Sequence, residues 1–266
     1  MTVTTVDAFA ERPFTGNPAA VCVLDRPAPD AWMQALAGEM NLAETAFVTP
    51  GGEGALGLRW FTPTVEVDLC GHATLAAAHV LYESGRLGPN DEARFDTRSG
   101  RLTVRPAGAG RYAMDFPATP PEAAELPEGF VRAFGVEPVW AGRSRFDWFA
   151  VVDDEAAVRA LDPAVAAVSA LGLRGVIVTA RGDDADVVSR FFAPNLGVVE
   201  DSVTGSAHCA IGPYWAGVLS TDALTCYQAS RRGGTVSVQV RGDRVVLEGG
   251  AVTVYRADLA PAALPD

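Results

Sequence analysis

The chain has 266 residues, 48% of them hydrophobic, enough to bury either one large core or two ordinary ones. Its 21 Lys and Arg against 33 Asp and Glu leave a formal charge of −12 at pH 7, which argues against nucleic acid or an anionic membrane as the main partner. No run reaches the roughly 18 apolar residues of a membrane span, and "MTVTTVDAFAERPF" at the N-terminus lacks a basic region and an apolar signal core. With Cys22, Cys70, Cys209 and Cys226 forming no C-x-x-C pair and only three histidines, no zinc spacing is present, and the expectation is a reduced, cytoplasmic chain without a metal site.

In chain order, the sequence predicts strands at 2–9 and 19–24, a helix over 30–39 opening at Asp30, and strands at 45–50 and 56–61. A helix over 71–84 closing at Gly85 follows, then strands at 101–106 and 111–116. Prolines 117, 120, 121 and 127 then interrupt the pattern; a segment so poor in amide donors cannot join a central sheet, and it marks a domain boundary. Beyond it come helices over 127–134 and 154–160, a strand at 176–180, a helix over 205–217, and strands at 235–240, 244–249 and 251–256. The strands alternate in period two, so most are expected to be half-buried and antiparallel. They outnumber the helices without regular strand–helix alternation, and the predicted class is α+β.

Five pairs, Gly71/Gly205, Ala73/Ala207, Ala76/Ala210, Gly100/Gly234 and Val104/Val238, share a separation of 134 residues. Upstream, "RWFTP" (59–63) and "RFFAP" (190–194) are 131 apart. The simplest reading is two pseudo-symmetric domains, each wrapping strands around one helix. The small side chains of "HATLAAAHVL" suit a helix sitting close inside a curved sheet.

Both helices follow a glycine-containing loop, and their N-termini offer unpaired N–H groups suited to a carboxylate or a developing oxyanion. His72 falls in the first turn, where it either reaches a ligand or serves the helix end; His79 and His208 lie further along and are expected to pack in the core. Ser206 holds the repeat position of His72, as a carboxylate ligand or a plain cap. Asp201 is placed to accept a proton or orient an amine, whereas Glu200, Glu66 and Asp68 read as solvated. Glu44 opens an apolar strand: either a surface residue or, if buried, a general acid and base.

"GNPAAVCVL" (16–24), "NLAETAFV" (41–48), "FTPTVEVDLCGHATLAAAHVL" (61–81) and "VEDSVTGSAHC" (199–209), in this order and spacing, resemble the PhzF-like isomerases of phenazine biosynthesis, which share the diaminopimelate-epimerase-like fold. The resemblance runs from about residue 6 to residue 256. It implies two similar domains, each an antiparallel barrel-like sheet around a central helix, with the active site between them. The N-terminal domain would cover 1–117, joined by a returning C-terminal strand at about 251–258, and the C-terminal domain 118–250. It also implies a homodimer and, without cofactor or metal, proton transfer between carbons of trans-2,3-dihydro-3-hydroxyanthranilate or an analogue. Glu44 matches the family's proton-carrying glutamate. His72 and Asp201 match its other catalytic positions, and Asn17, Gly71, Gly205 and Ser206 its substrate-binding ones. Ser202 departs from the proline usual in that branch.

Two other readings stand beside this one. A racemase or epimerase of an amino or imino acid would use Cys70, whose counterpart in the second loop is read as Ser202, so a two-thiol mechanism is disfavoured. A non-catalytic protein would use the same residues only to bind a small molecule.

Overall fold

The computed structural model describes residues 1–265. The chain divides into two compact units, one formed by Met1–Met114 and the segment from Glu248 onward, the other by Asp115–Leu247.

The first unit runs β1 (Thr2–Ala8), β2 (Asn17–Val23), α1 (Asp30–Met40), β3 (Glu44–Pro50), β4 (Leu56–Phe61), a short β5 (Glu66–Val67), α2 (Gly71–Glu83), β6 (Ala93–Thr97), β7 (Gly100–Pro106) and β8 (Arg111–Pro117). The second runs β9 (Glu122–Ala123), α3 (Phe130–Phe134), β10 (Trp140–Arg143), β11 (Asp147–Val151), α4 (Glu155–Arg159), α5 (Val165–Ser169), β12 (Gly175–Arg181), β13 (Val187–Ala193), β14 (Val198–Asp201), α6 (Gly205–Leu219), β15 (Ala223–Gln228) and β16 (Gly234–Arg241). The last strand, β17 (Arg244–Asp258), begins in the second unit and ends in the first.

In the first unit the strands pair in the ring β17-β1-β2-β3-β4-β6-β7-β8 and close back on β17, giving an eight-stranded barrel. Closure leaves no exposed edge, and the interior is filled by α2, whose residues from His72 to Leu81 are all buried. A helix apolar on every side belongs in such a place, and Ala73, Ala76, Ala77 and Ala78 let the wall approach it closely. Outside the wall, α1 lays Met33, Leu36 and Ala37 against Phe47 and Phe61.

The second unit repeats the order: β10-β11-β12-β13-β15-β16-β17, with β9 beside β10 and β14 folded back on β13. Its buried helix is α6, and the short α3, α4 and α5 cover the wall through Phe130, Phe134, Val158 and Val168 packed around Phe192. Period-two alternation points to mostly antiparallel neighbours, and most pairs are so, but β2–β3, β4–β6, β11–β12 and β13–β15 are parallel. In each of these pairs one or two helices carry the chain back to the start of the next strand, a connection that alternation within a strand does not report.

The repeat survives at the level of register. Thr45 pairs with Phe61 and Val176 with Phe192, each pair 131 residues from its counterpart. α2 and α6 open at Gly71 and Gly205, and β7 and β16 at Gly100 and Gly234, each separated by 134. The helix expected from 127 begins only at Phe130, because Gly129 holds a left-handed backbone at φ 98° immediately before it. Among the described residues no helix is long and apolar enough to cross a membrane.

Two glycines of α6 give opposite expectations. A Cβ on Gly212 would lie 2.6 Å from Cγ1 of the buried Val238, so Gly212→Ala is expected to cost about 1–3 kcal/mol. Gly217 is exposed with nothing within 4 Å, so Gly217→Ala should stabilise by about 0.5–1 kcal/mol. Urea unfolding midpoints of the two variants, one moving down and the other up, check the placement of the helix.

Candidate active site

Four side chains of the first unit converge at the head of α2. Gly16, at φ 67°, turns the chain so tightly that a Cβ there would sit 2.8 Å from that of Ala10, and the turn sets Asn17 opposite Ala8 at the start of β2. α1 ends on Asn41 in the left-handed conformation, and three residues later Glu44 opens β3 beside Ala19 of β2. Cys70, in extended backbone, precedes α2 and makes no side-chain cap; Thr74 instead donates its hydroxyl to the Cys70 carbonyl at 2.6 Å. His72 follows as the second residue of the helix.

His72 is the hub. Its Nε2 lies 3.2 Å from Glu44 Oε2, its Nδ1 lies 3.2 Å from Asn17 Nδ2, and the same Nδ1 lies 3.5 Å from Cys70 Sγ. The imidazole is 7% exposed and the Glu44 side chain 19%, so the carboxyl is shielded without being sealed off. Glu44 is therefore the partly buried carboxyl that the start of an apolar strand allowed, and its contact with His72 has ion-pair distance without the angles of a hydrogen bond.

The donor atoms of Glu44, Cys70 and His72 all lie within 4.8 Å of one another, a set that suits a soft divalent ion by type. The geometry fits it poorly. Glu44 and Cys70 face opposite nitrogens of one ring, and a single ion takes only one imidazole lone pair, so binding all three groups would require the ring to turn.

In the second unit Asp201, Gly205 and Ser206 gather where β14 meets α6. Thr204 donates its hydroxyl to Asp201 Oδ2 at 2.6 Å, and its backbone N–H donates to Gln228 Oε1 at 2.8 Å. Gln228 in turn donates Nε2 to the Asp201 carbonyl at 2.7 Å. Thr204 stands at the N-cap of α6 but makes no side-chain capping bond to the helix, and Ser206 is half-buried in the first turn. A Cβ on Gly205 would meet only Leu247, at 3.6 Å, so packing does not forbid a side chain there. Gln228 escaped the sequence reading. Its signal was a polar residue at the inward position of β15, where Leu224 and Cys226 are the other inward residues.

The register corrects one correspondence. The residue before Gly205 that matches Cys70 before Gly71 is Thr204, not Ser202, because the two helices are offset by 134. The counterpart of Glu44, 131 residues on, is Gly175, where a Cβ would lie 2.6 Å from the Phe191 ring and 2.7 Å from the Phe192 carbonyl. The second unit has neither the thiol nor the carboxyl, nor room for the latter.

The other two histidines are core residues. His79 binds Tyr112 through Nδ1 and Thr253 through Nε2. His208, fully buried, donates Nδ1–H to the Thr204 carbonyl at 2.8 Å. Burial also pushes the Cys22 thiol up to about 11 and that of Cys209 up to about 12, which makes both poor nucleophiles.

The sequence profile of the phenazine biosynthesis-like protein family (PhzC-PhzF) matches residues 6–257. A protein named an uncharacterized isomerase in Halalkalibacterium halodurans is 46% identical over 257 residues, 96% of each chain. The crystal structure of a PhzF-family phenazine biosynthesis protein from Enterococcus faecalis superposes with a TM-score of 0.92 at 43% identity, covering 97% of this chain and 99% of the other. A structure from Pseudomonas aeruginosa named a predicted epimerase gives 0.76 at 26% identity, covering 97% and 98%.

His208 makes stability depend on acid. Burial pushes its pKa down from 6.5 to about 4, so the neutral ring belongs to the folded state. Its contribution is complete above pH 6.5 and is lost as pH falls toward 4, amounting to about 3 kcal/mol over that range. Urea unfolding of the wild type and His208→Leu at pH 7, 5 and 4 should show the stability gap between them narrowing by that amount.

Proposed function

Because this chain belongs to the phenazine biosynthesis-like (PhzC-PhzF) family, we propose that it is an isomerase that moves a proton between two carbons of a small carboxylate substrate, with Glu44 carrying it. The observation that carries this reading is the Glu44–His72 pair at 3.2 Å, which has no counterpart in the second unit, where Gly175 and Ser206 hold the two positions. A single shielded carboxyl suits a transfer on one face of a substrate: it breaks one C–H bond, the electron pair enters the π system, the double bond shifts, and the same carboxyl returns the proton to another carbon. Nothing is oxidised or reduced.

The substrate is trans-2,3-dihydro-3-hydroxyanthranilate or an analogue that keeps its carboxylate and an allylic proton. Ser206 and the amides that open α6 bind the carboxylate, as helix N-termini do, and Asp201 orients the amine or hydroxyl. Gly71 leaves the head of α2 without a side chain beside His72. A homodimer in the cytoplasm, working without metal or cofactor, completes the proposal.

Cys70 gives a second reading some footing, since its sulfur lies 3.5 Å from His72 Nδ1. A racemase or epimerase with two thiols would need a partner for it, and the repeat supplies Thr204 instead. A protein that only binds its ligand would use the Glu44–His72 pair for recognition, and in it Glu44→Gln would change affinity alone.

Glu44→Gln is expected to lower kcat for isomerisation of trans-2,3-dihydro-3-hydroxyanthranilate by about 10²–10⁴-fold with KM little changed, while Cys70→Ala leaves turnover unaltered. NMR time courses on the purified variants decide it: full activity in Glu44→Gln removes the shuttle, and lost activity in Cys70→Ala moves the chemistry to the thiol.

A further inference from the structure

His72 touches the three other members of its cluster, and the chemistry of those contacts locates its proton. Asn17 is 1% exposed, and its side-chain nitrogen, 3.2 Å from His72 Nδ1, has only hydrogens to offer. The ring nitrogen that receives such a donor carries a lone pair. A neutral imidazole has one proton, which then sits on Nε2, 3.2 Å from Glu44 Oε2. The reversed amide would set its oxygen against Nδ1 and move the proton there. The Nε2 lone pair would then face the oxygen of an ionised carboxylate, acceptor against acceptor.

We infer that Asn17 is a positioning residue: its amide holds His72 in the Nε2–H tautomer, which sets a proton rather than a lone pair on the side of the ring that lies 3.2 Å from the Glu44 carboxyl. Asn17 is itself fixed from behind by the tight turn at Gly16 and by pairing opposite Ala8. Cys70 is also constrained. Its sulfur lies 3.5 Å from the same Nδ1 lone pair, so it fits there as a neutral S–H rather than a thiolate, which would require Nδ1–H. The kinetic part of this inference rests on Glu44 as proton carrier; the tautomer does not.

The test reads the ring directly. The chain has three histidines, so ¹⁵N-imidazole spectra of the resting protein resolve each, with His72 assigned by its disappearance in His72→Gln. The expected spectrum has His72 protonated at Nε2 and unprotonated at Nδ1. Asn17→Asp places an acceptor in the same space and should protonate Nδ1, lowering kcat about tenfold or more with KM little changed, while unmoved His79 and His208 signals report an intact fold. In a His72→Gln background the same substitution should leave kcat within about twofold, since no tautomer remains to set. A wild-type spectrum with Nδ1–H overturns the inference, and so does an Asn17→Asp effect confined to KM. An Nε2–H spectrum beside an undiminished Glu44→Gln enzyme upholds the tautomer and removes only the role of Glu44.

Discussion

A carboxyl and an imidazole held 3.2 Å apart, both largely withdrawn from water, are the constraint on which the first unit depends. Shielded polar groups of this kind persist only where backbone fixes each of them and partners satisfy the rest. Here three separate devices do so. The tight turn at Gly16 delivers Asn17, the left-handed end of α1 at Asn41 delivers Glu44, and the extended Cys70 delivers His72 into the first turn of α2. Asn17, Glu44 and His72 themselves stand at the starts of β2, β3 and α2, so three of the four side chains rest on the barrel or the helix inside it. The alanines of α2 belong to the same arrangement, because a thicker helix would push the wall, and with it β2 and β3, away from His72.

The two units share a topology down to strand register, yet they differ at the positions where chemistry would lie. Gly175 stands for Glu44, and the ring of Phe191 with the Phe192 carbonyl occupies the space a side chain would need. Thr204 stands for Cys70, and its hydroxyl is spent on Asp201. The repeated scaffold thus carries a carboxyl–imidazole cluster in one copy and a braced helix end in the other. That division suits a reaction with one proton carrier better than one with symmetric bases on opposite faces.

Much of this was legible in the sequence, for physical reasons that differ by element. α1, α2 and α6 were placed to within a residue or two: α1 and α2 have a clear start and helix formers inside, and α6, despite Gly212, Pro213 and Gly217, was marked by its glycine-containing start and the repeat of α2. The offsets of 131 and 134 carried through into strand register. β6, β10, β11, β13 and β15 went unseen. In "FDWFAVV" the strand is buried on both faces, so no alternation marks it, and the parallel pairings depend on crossovers that no local pattern encodes. Among the site residues, type and place left Glu44 and His72 with two readings each, and the family resemblance singled them out. What spacing could not supply was that Asn17 reaches the imidazole, or that Gln228 anchors the loop from Asp201 to Thr204, because both contacts join segments far apart in the chain. The match of Cys70 to Ser202 follows neither offset: the helix offset of 134 leads from Cys70 to Thr204.

The central claim is that one carboxyl moves a proton within a single substrate molecule. Its most direct test is NMR of trans-2,3-dihydro-3-hydroxyanthranilate incubated with the wild-type protein in deuterated water. The account predicts conversion to the isomer with the shifted double bond and protium retained, in part, at the accepting carbon. Wash-in of deuterium at the original carbon without any bond shift, or an untouched substrate in the presence of folded protein, would contradict it.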